Sequence, residues 1–305
     1  MAPSPVAVVP ADDAPARDAP AGDGSPSSGS TVPTVRRLRF EWPEDLDPDW
    51  TPRTPELACV ANAVSMLMPH VEPYVVDAVR AELDHLDDDL RAEAEAWVAQ
   101  ESAHHGAHAR FNRILLARRP ALRRVDGWMA AAYRLLRRRS SRFALAYAAG
   151  AETVAFMVAR WVDRRSSTLF RGADRTATTL FLWHLAEEVE HKSVAFDVHR
   201  ARGGGRLGFA WGMTVAMVMM AVFTVLGTLV GLAGARRLWR PSAHLRMLGW
   251  SLGFWFELGP AMAGAALAGH HPSRMTDPAF LPTWLRSYDP VTRTMPEWSM
   301  DVVRP

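Results

Sequence analysis

Apolar residues recur at three- and four-residue spacing from about Pro55 onward, with very few runs of alternating β-branched residues. This period is typical of helices that pack against a core. Proline is expected to end or restart the first helix at positions 69 and 73, which would place Glu72 in a first helical turn. The pattern therefore predicts an all-α protein with helices over about 55–67, from near Glu72 to about 83, 88–118, 122–139, 142–164 and 175–200.

Two strongly apolar segments follow the glycines at 203–205. Residues 207–234 carry no charged side chain, and Glu257 is the only charged residue in 247–269. At a rise of ~1.5 Å per residue the first segment is long enough to cross a bilayer core of about 30 Å. The two segments predict an apolar helical hairpin that associates with a membrane, and a fully buried core helix is the alternative. Close packing against a partner helix is expected at two pairs of glycines, Gly208 with Gly212 and Gly227 with Gly231.

The composition of the chain suggests four parts. Residues 1–35 contain seven prolines and seven alanines without an aromatic residue, and they lack the apolar region of a secretory signal. We predict a disordered leader here. The remainder divides into a helical bundle over 36–203, the apolar hairpin over 204–271 and a proline- and tryptophan-rich tail over 272–305, to which we assign no regular structure.

Cysteine usage and charge limit the chemistry. Cys59 is the only cysteine, which excludes an internal disulfide and a thiolate-rich zinc or iron–sulfur site. The net charge of +2 is small, but ten arginines and a single acid lie between Arg113 and Arg142. This block lacks the interleaved aromatic residues of a nucleic-acid-binding surface, so no nucleic-acid partner is expected. Beside a membrane hairpin it suits anionic lipid at the cytoplasmic face of the inner membrane, and a solvated helix face is the alternative.

Candidate metal ligands appear at helical spacing. Residues three apart share one face of a helix, and Glu-x-x-His occurs twice in the predicted helices. A further glutamate stands on the helix before each pair, and Glu152 has almost only apolar neighbours, where an unpaired carboxylate would cost several kcal/mol. One Glu from each of two helices and Glu-x-x-His from each of two others is the pattern of four-helix di-iron and di-manganese proteins. We predict two metal ions, iron or else manganese, bound by Glu72, Glu101, His104, Glu152, Glu188 and His191.

Further ionisable residues lie on or beside the same helix faces. His108 follows His104 by four residues, and His184 precedes Glu188 by four. Each could be an additional ligand, a group that orients a carboxylate, or a core histidine. We include His108 among the predicted ligands and take His184 and Glu187 as candidates for acid–base catalysis, with Glu190 as a further candidate.

Three motifs resemble a known family. Gln100 to His108 reads Gln-Glu-x-x-His-x-x-x-His, residues 151–153 read Ala-Glu-Thr, and Trp183 to Asp197 reads Trp-His-x-x-Glu-Glu-x-Glu-His-Lys-x-Val-Ala-Phe-Asp. These motifs resemble those of the bacterial proteins called predicted metal-dependent hydrolases, which are placed among ferritin-like folds. The resemblance runs from about Arg36 to about Gly269 and implies a ferritin-like di-metal bundle. The family usually has Pro-x-Gly-Glu at the first ligand, whereas this chain lacks the glycine before Glu72.

The sequence leaves three functions open. A di-iron oxidase or oxygenase is favoured, because carboxylate-rich ligation suits O₂ chemistry and apolar helices keep water away. A metal-dependent hydrolase is the second, using the same ions to make hydroxide from water, and it would need an additional acid or base. The third is a non-catalytic metal-binding membrane protein. The substrate is expected to be a small, hydrophobic molecule, and the sequence leaves a homodimer open.

Overall fold

The described part of the chain is built mainly from helices. The computed structural model describes residues 5–6, 32–36, 38, 40–43, 45–267, 270–289, 291 and 295–296. The α-helices are α1 Pro55–Arg80, α2 Asp88–Arg118, α3 Arg123–Leu136, α4 Ser141–Asp163, α5 Ser166–Leu169, α6 Arg175–Glu190, α7 Val194–Ala201, α8 Arg206–Gly234, α9 Pro241–Ala265 and α10 Leu281–Ser287. Single 3₁₀ turns lie at Leu83–His85, Pro120–Leu122 and Pro272–Arg274, and the two-residue strands β1 Pro5–Val6 and β2 Met295–Pro296 pair antiparallel. The predicted all-α class is confirmed.

Local sequence signals set the start of several helices. Asp87 precedes α2 and accepts a hydrogen bond from the backbone N–H of Leu90 at 2.9 Å. Asp174 does the same before α6, where it accepts from the backbone N–H of Ala177 at 2.9 Å. Side chains of this kind pair donors that a helix start otherwise leaves free. The bounds predicted for α2 agree with the structure, and the Asp87 cap accounts for its start.

The first helix continues through both of its prolines. Glu72 was predicted in a first helical turn, but α1 runs unbroken and Glu72 lies well inside it. Proline at position 69 removes the N–H that would bond the backbone oxygen of Ser65. The side-chain amide of Asn112 on α2 donates to that oxygen at 2.8 Å instead. The prediction of a break was wrong, and at Pro69 a neighbouring helix replaces the missing donor.

The predicted helix over 175–200 is divided in the structure. Helix α6 ends at Glu190, and α7 begins at Val194 after a turn. Lys192 in this turn donates through Nζ to the backbone oxygen of Met275 at 2.9 Å and forms an ion pair with Asp277. The C-terminal segment therefore holds the turn in place. That segment is not wholly irregular, because α10 buries Trp284 against α6.

Helix α8 packs directly on the bundle. It contacts α1 and α4, and the backbones approach closely where glycine is present. A Cβ on Gly212 would lie 2.2 Å from the backbone oxygen of Ala146, and one on Gly150 would lie 2.3 Å from the backbone nitrogen of Met213. Gly227 and Gly231 face Ala63 and Cys59 of α1 in the same way. Three of the four predicted glycines thus contact a neighbouring helix closely.

Replacing Gly212 by valine is expected to lower the free energy of unfolding by about 3 kcal/mol, because the new side chain would meet backbone that cannot move aside. Urea unfolding followed by circular dichroism measures the effect. Gly208→Val is the matched control on the same helix, since the nearest atom to its Cβ is 3.8 Å away. Equal losses in the two variants would contradict the close-packing explanation.

Two helices have the length and composition of a membrane span. They are Ser141–Asp163, which is mostly buried inside the protein, and Arg206–Gly234, which is buried on one side only. The predicted hairpin corresponds to α8 and α9. Its treatment as a separate unit stays a prediction, and most of the predicted leader over 1–35 lies outside the described residues.

Candidate metal centre

Helices α1, α2, α4 and α6 bring the six predicted carboxylate and histidine ligands to one buried place. Glu188 lies in the last turn of α6, and His191 follows that helix directly. Each of the six residues is at most 3% exposed. The set comprises Glu72 on α1, Glu101 and His104 on α2, Glu152 on α4, and Glu188 and His191.

Glu101 lies between two histidines. Its Oε1 atom is 3.2 Å from Nε2 of His191 and 3.4 Å from Nδ1 of His104. With Glu188 these residues form one group whose ligand atoms all lie within 4.8 Å of one another. A second group overlaps it and consists of Glu72, His104 and His184.

Glu152 stands beside these two groups and belongs to neither of them. Its Oε2 atom is 2.8 Å from Nδ1 of His191. The opposite ring nitrogen of this histidine, Nε2, is directed towards Glu101. Glu152 is therefore placed to orient His191 as well as to approach the centre itself.

The donor atoms that face the centre fit a metal ion. Buried polar atoms are almost always hydrogen-bonded. Within the described part of the chain, six atoms at this centre are buried without a hydrogen-bond partner: both carboxylate oxygens of Glu72, Oε1 of Glu101, Nδ1 of His104, Oε2 of Glu188 and Nε2 of His191. Carboxylate oxygens and imidazole nitrogens suit iron or manganese. A positive ion would supply the partner that each of these atoms lacks.

Burial and mutual repulsion act on the acids. Burial, with the negative charge of Glu101, raises the pKa of Glu72 well above its ordinary value, and burial with Glu152 raises that of Glu188. Burial also acts to raise the pKa of Glu101, but His104 and His191 outweigh it and lower that pKa to about 2. The acids around Glu101 are therefore poorly compensated without a cation.

The ring nitrogen of His104 that points away from the centre, Nε2, is hydrogen-bonded to a carboxylate. This atom is 2.9 Å from Oε2 of Glu187, which is itself fully buried. Arg36, from the segment before α1, donates to Oε1 of Glu187 at 3.4 Å and pairs with Glu190. The guanidinium of Arg36 also lies over the ring of Trp284 at 4.3 Å. This chain of contacts fixes the orientation in which His104 turns its other nitrogen inward.

A second hydrogen-bonded chain holds His184. Its Nε2 atom is 2.7 Å from Oε1 of Glu188, and its Nδ1 atom is 2.8 Å from Nε2 of His108. Nδ1 of His108 in turn lies 2.8 Å from the hydroxyl of Ser65, which donates to Asn112. Both ring nitrogens of His108 are thus engaged, although the sequence placed it among the ligands. Of these two histidines, His184 is the one whose Nε2 atom approaches the carboxylates of the centre, Glu188 and Glu72.

An apolar cavity of about 400 Å³ lies against the centre. Its ionisable lining groups are two tyrosines and six residues of the centre and its supports, namely Glu72, Glu101, Glu152, Glu188, His108 and His184. Among the described residues that line it there is no lysine, arginine or aspartate. Glu187 and Glu190 lie outside this lining, on the Arg36 side of the centre.

Residues 34–276 match the family model described as predicted metal-dependent hydrolase. The chain belongs to this family. No curated protein and no solved structure matches the chain. The buried glutamate and histidine groups of this family member could hold metal ions, as the family description implies.

Several supporting residues of this predicted metal-dependent hydrolase were not found from its sequence. Arg36 lies 151 positions before Glu187, and Ser65 lies 43 positions before His108. Neither is part of a motif, so spacing gave no signal for them. Their role depends on which helices become neighbours, which only the tertiary structure determines.

Replacing Glu187 by glutamine is expected to weaken metal binding by roughly 10- to 100-fold while leaving the number of ions bound at saturation unchanged. The amide keeps the shape but loses the charge that fixes the tautomer of His104. Titration with Fe²⁺ under anaerobic conditions measures the affinity. Glu190→Gln, which contacts Arg36 but not His104, is the matched control, and equal affinities in both variants would contradict the positioning role.

Proposed function

We propose that this protein is a di-iron enzyme that activates O₂ on a small hydrophobic substrate. The observation that carries the proposal is the apolar cavity against the buried carboxylates and histidines. Beyond the centre and its supports, the described lining offers no carboxylate, imidazole or amine for acid–base catalysis. Hydrolysis ordinarily requires such a group beside the attacking water, whereas an oxidation at the metal centre does not.

Four carboxylates and three histidines would hold the metals. They are the six predicted ligands, with Glu152 acting partly through His191, and His184 in place of His108. When bound, a pair of iron ions supplies the redox chemistry of O₂, whereas two Lewis-acidic ions without redox activity supply hydroxide from water. Manganese suits the same donor atoms and remains the alternative metal.

The residues of the chain provide orientation and a dry environment. Glu187 and Arg36 fix the ring of His104, and His108 fixes that of His184. The leucine, valine and methionine side chains around the cavity keep bulk water from the buried carboxylates. Exclusion of water strengthens the electrostatic interactions inside a site and protects reactive species from side reactions.

Hydrolysis is the second candidate, supported by the family description and by the position of His184. This residue lines the cavity, and its Nε2 atom approaches Glu188. In a hydrolase, His184 would be the group that accepts a proton from water. Glu187, also considered from the sequence, contacts His104 instead, which suits a positioning role. A metal-binding protein without catalysis is the third candidate.

Elemental analysis of the purified protein, followed by optical spectra before and after O₂ is admitted to the anaerobic reduced protein, tests the proposal. We expect about two iron ions per chain and a new visible absorption that requires O₂. Zinc-loaded protein serves as the control and should give no O₂-dependent change. Hydrolytic activity that persists with zinc and without O₂ would favour the second candidate.

A further inference from the structure

We propose that the cavity takes a long unbranched aliphatic chain directly from a lipid bilayer, with the outer faces of α8 and α9 lying against the lipid. The chain would pass between these two helices to reach the metal centre. The inference names the substrate class of the proposed function and rests on it for the reaction. The binding step itself requires neither iron nor turnover.

The cavity is elongated along the helices. On α1 its lining extends from Leu57 to Val75, and on α4 it extends from Tyr147 to Val162. At a rise of ~1.5 Å per residue, these spans correspond to roughly 27 Å and 22 Å. Glu72 lies near one end of the α1 span, so most of the length is apolar and leads away from the carboxylates. An elongated apolar space of this length suits an extended hydrocarbon chain.

The outer wall of the cavity is formed by α8 and α9. Lining residues extend from Ala216 to Thr228 on α8 and from Met247 to Trp255 on α9. Three of these lining residues, Val225, Ser251 and Trp255, are also exposed at the protein surface. Side chains that face both the cavity and the exterior mark the place where the two are closest. A molecule entering the cavity between α8 and α9 would therefore need to move the side chains of these helices least.

Ion pairs join α9 to the bundle on both sides of the segment that lines the cavity, Met247 to Trp255. Arg246 donates to the buried carboxylate of Glu56 on α1 at 2.8 Å. Glu257 accepts from Arg164 at 3.2 Å and also pairs with Arg165. Because both charged side chains of this part of α9 are paired with the bundle, the face of α9 between them presents apolar groups outward.

The outer surface of the two helices is apolar. Leu245 is 68% exposed and Phe256 77%, and several neighbours on both helices are similarly exposed, namely Leu248, Leu252, Trp211, Val218 and Val222. Single exposed apolar residues are ordinary, but a continuous patch marks a contact with a membrane or another protein.

Charge and tryptophan at the edges of the patch identify the bilayer as its partner. Trp239 is 90% exposed in the turn between the helices, next to the exposed Arg236 and Arg240. Helix α3, which contacts α8, presents further exposed arginines, among them Arg123 and Arg124. Tryptophan and arginine beside an apolar face are typical of proteins held at an anionic membrane surface.

Flotation with vesicles tests the surface. Detergent-free, full-length protein is expected to float with vesicles of phosphatidylcholine and phosphatidylglycerol, and at least tenfold less with phosphatidylcholine alone. Leu252→Glu with Phe256→Glu should abolish flotation without changing the helical circular dichroism. Wild-type protein that forms a dimer and does not float would overturn the membrane contact.

Uptake of cis-parinaric acid from such vesicles, followed by energy transfer from tryptophan, tests the cavity. Ala221→Phe fills a lining position on α8 and is expected to weaken uptake at least tenfold. Ala233→Phe makes the same change at an exposed position of α8 that does not line the cavity, and this matched control should behave as wild type. Palmitic acid should displace the probe, and octanoic acid should not. Equal uptake by Ala221→Phe and wild type would overturn the inference.

Metal content is measured on the same samples so that two failures can be told apart. Normal uptake by protein that binds no iron would support the inference while contradicting the proposed function. If the samples bind iron but none of them takes up the probe, the inference is overturned while the proposed metal centre stands.

Discussion

Replacing either Glu188 or His191 by alanine is expected to leave about one bound metal ion or fewer per chain and to abolish activity. Both residues belong to the group around Glu101, and within the described part of the chain Oε2 of Glu188 and Nε2 of His191 are buried without a hydrogen bond. Loss of one ligand removes a charge or a donor from the site, and the remaining ligands are held in place by the four helices that carry them. Elemental analysis after anaerobic iron loading and gel filtration measures the stoichiometry.

Glu95→Ala and His85→Ala are matched controls, because they make the same chemical changes at exposed positions outside the centre. Both controls should bind two ions. Two ions in Glu188→Ala or His191→Ala would remove that residue from the ligand set. Circular dichroism at 222 nm distinguishes loss of metal from loss of fold.

Chelation of the metals is expected to lower the melting temperature at pH 7 by about 10 °C or more. Ligands that bind only the folded state stabilise it by several kcal/mol at concentrations far above their dissociation constants. Glu72, Glu101, Glu152 and Glu188 are all buried around one point, and removing the cations leaves the charges of Glu72 and Glu188 poorly compensated. Differential scanning calorimetry with and without chelator measures the difference.

Glu152→Gln separates the contribution of charge from that of shape. It is expected to weaken metal binding yet raise the melting temperature of the chelated protein, because one buried charge is removed from the cluster. Glu95→Gln makes the same change on an exposed helix face and should alter neither property. Unchanged metal content and unchanged stability of chelated Glu152→Gln would show that Glu152 takes no part in the centre.

A buried cluster of four acids lowers the stability of the folded protein when no metal is bound. A helix core of this size would be more stable with apolar residues at the positions of the four acids. The carboxylates are retained against this cost, and two hydrogen-bonded chains keep the histidines oriented. Stability given up at a buried cluster of like charges is typical of functional sites.

The sequence determined the helical class, and it named six residues that the structure brings together at one buried place. Apolar spacing predicted the helices, including the bounds of α2 at Asp88 and Arg118. The Glu-x-x-His spacing placed a carboxylate and an imidazole on one face of a helix. These features depend on residues a few positions apart, and local geometry fixes them before any tertiary contact forms.

Only the tertiary structure decided the features that depend on distant residues. The local sequence predicts a break in α1 at Pro69. The helix nevertheless continues, and Asn112 of α2 donates to the backbone oxygen of Ser65 that Pro69 leaves without a partner. His108 has ligand spacing, yet Ser65 and His184 occupy both of its nitrogens. The cavity between α1, α4, α8 and α9 has no sequence signature at all. In each case the deciding contact joins separate helices, and residue spacing along one helix carries no information about its neighbours.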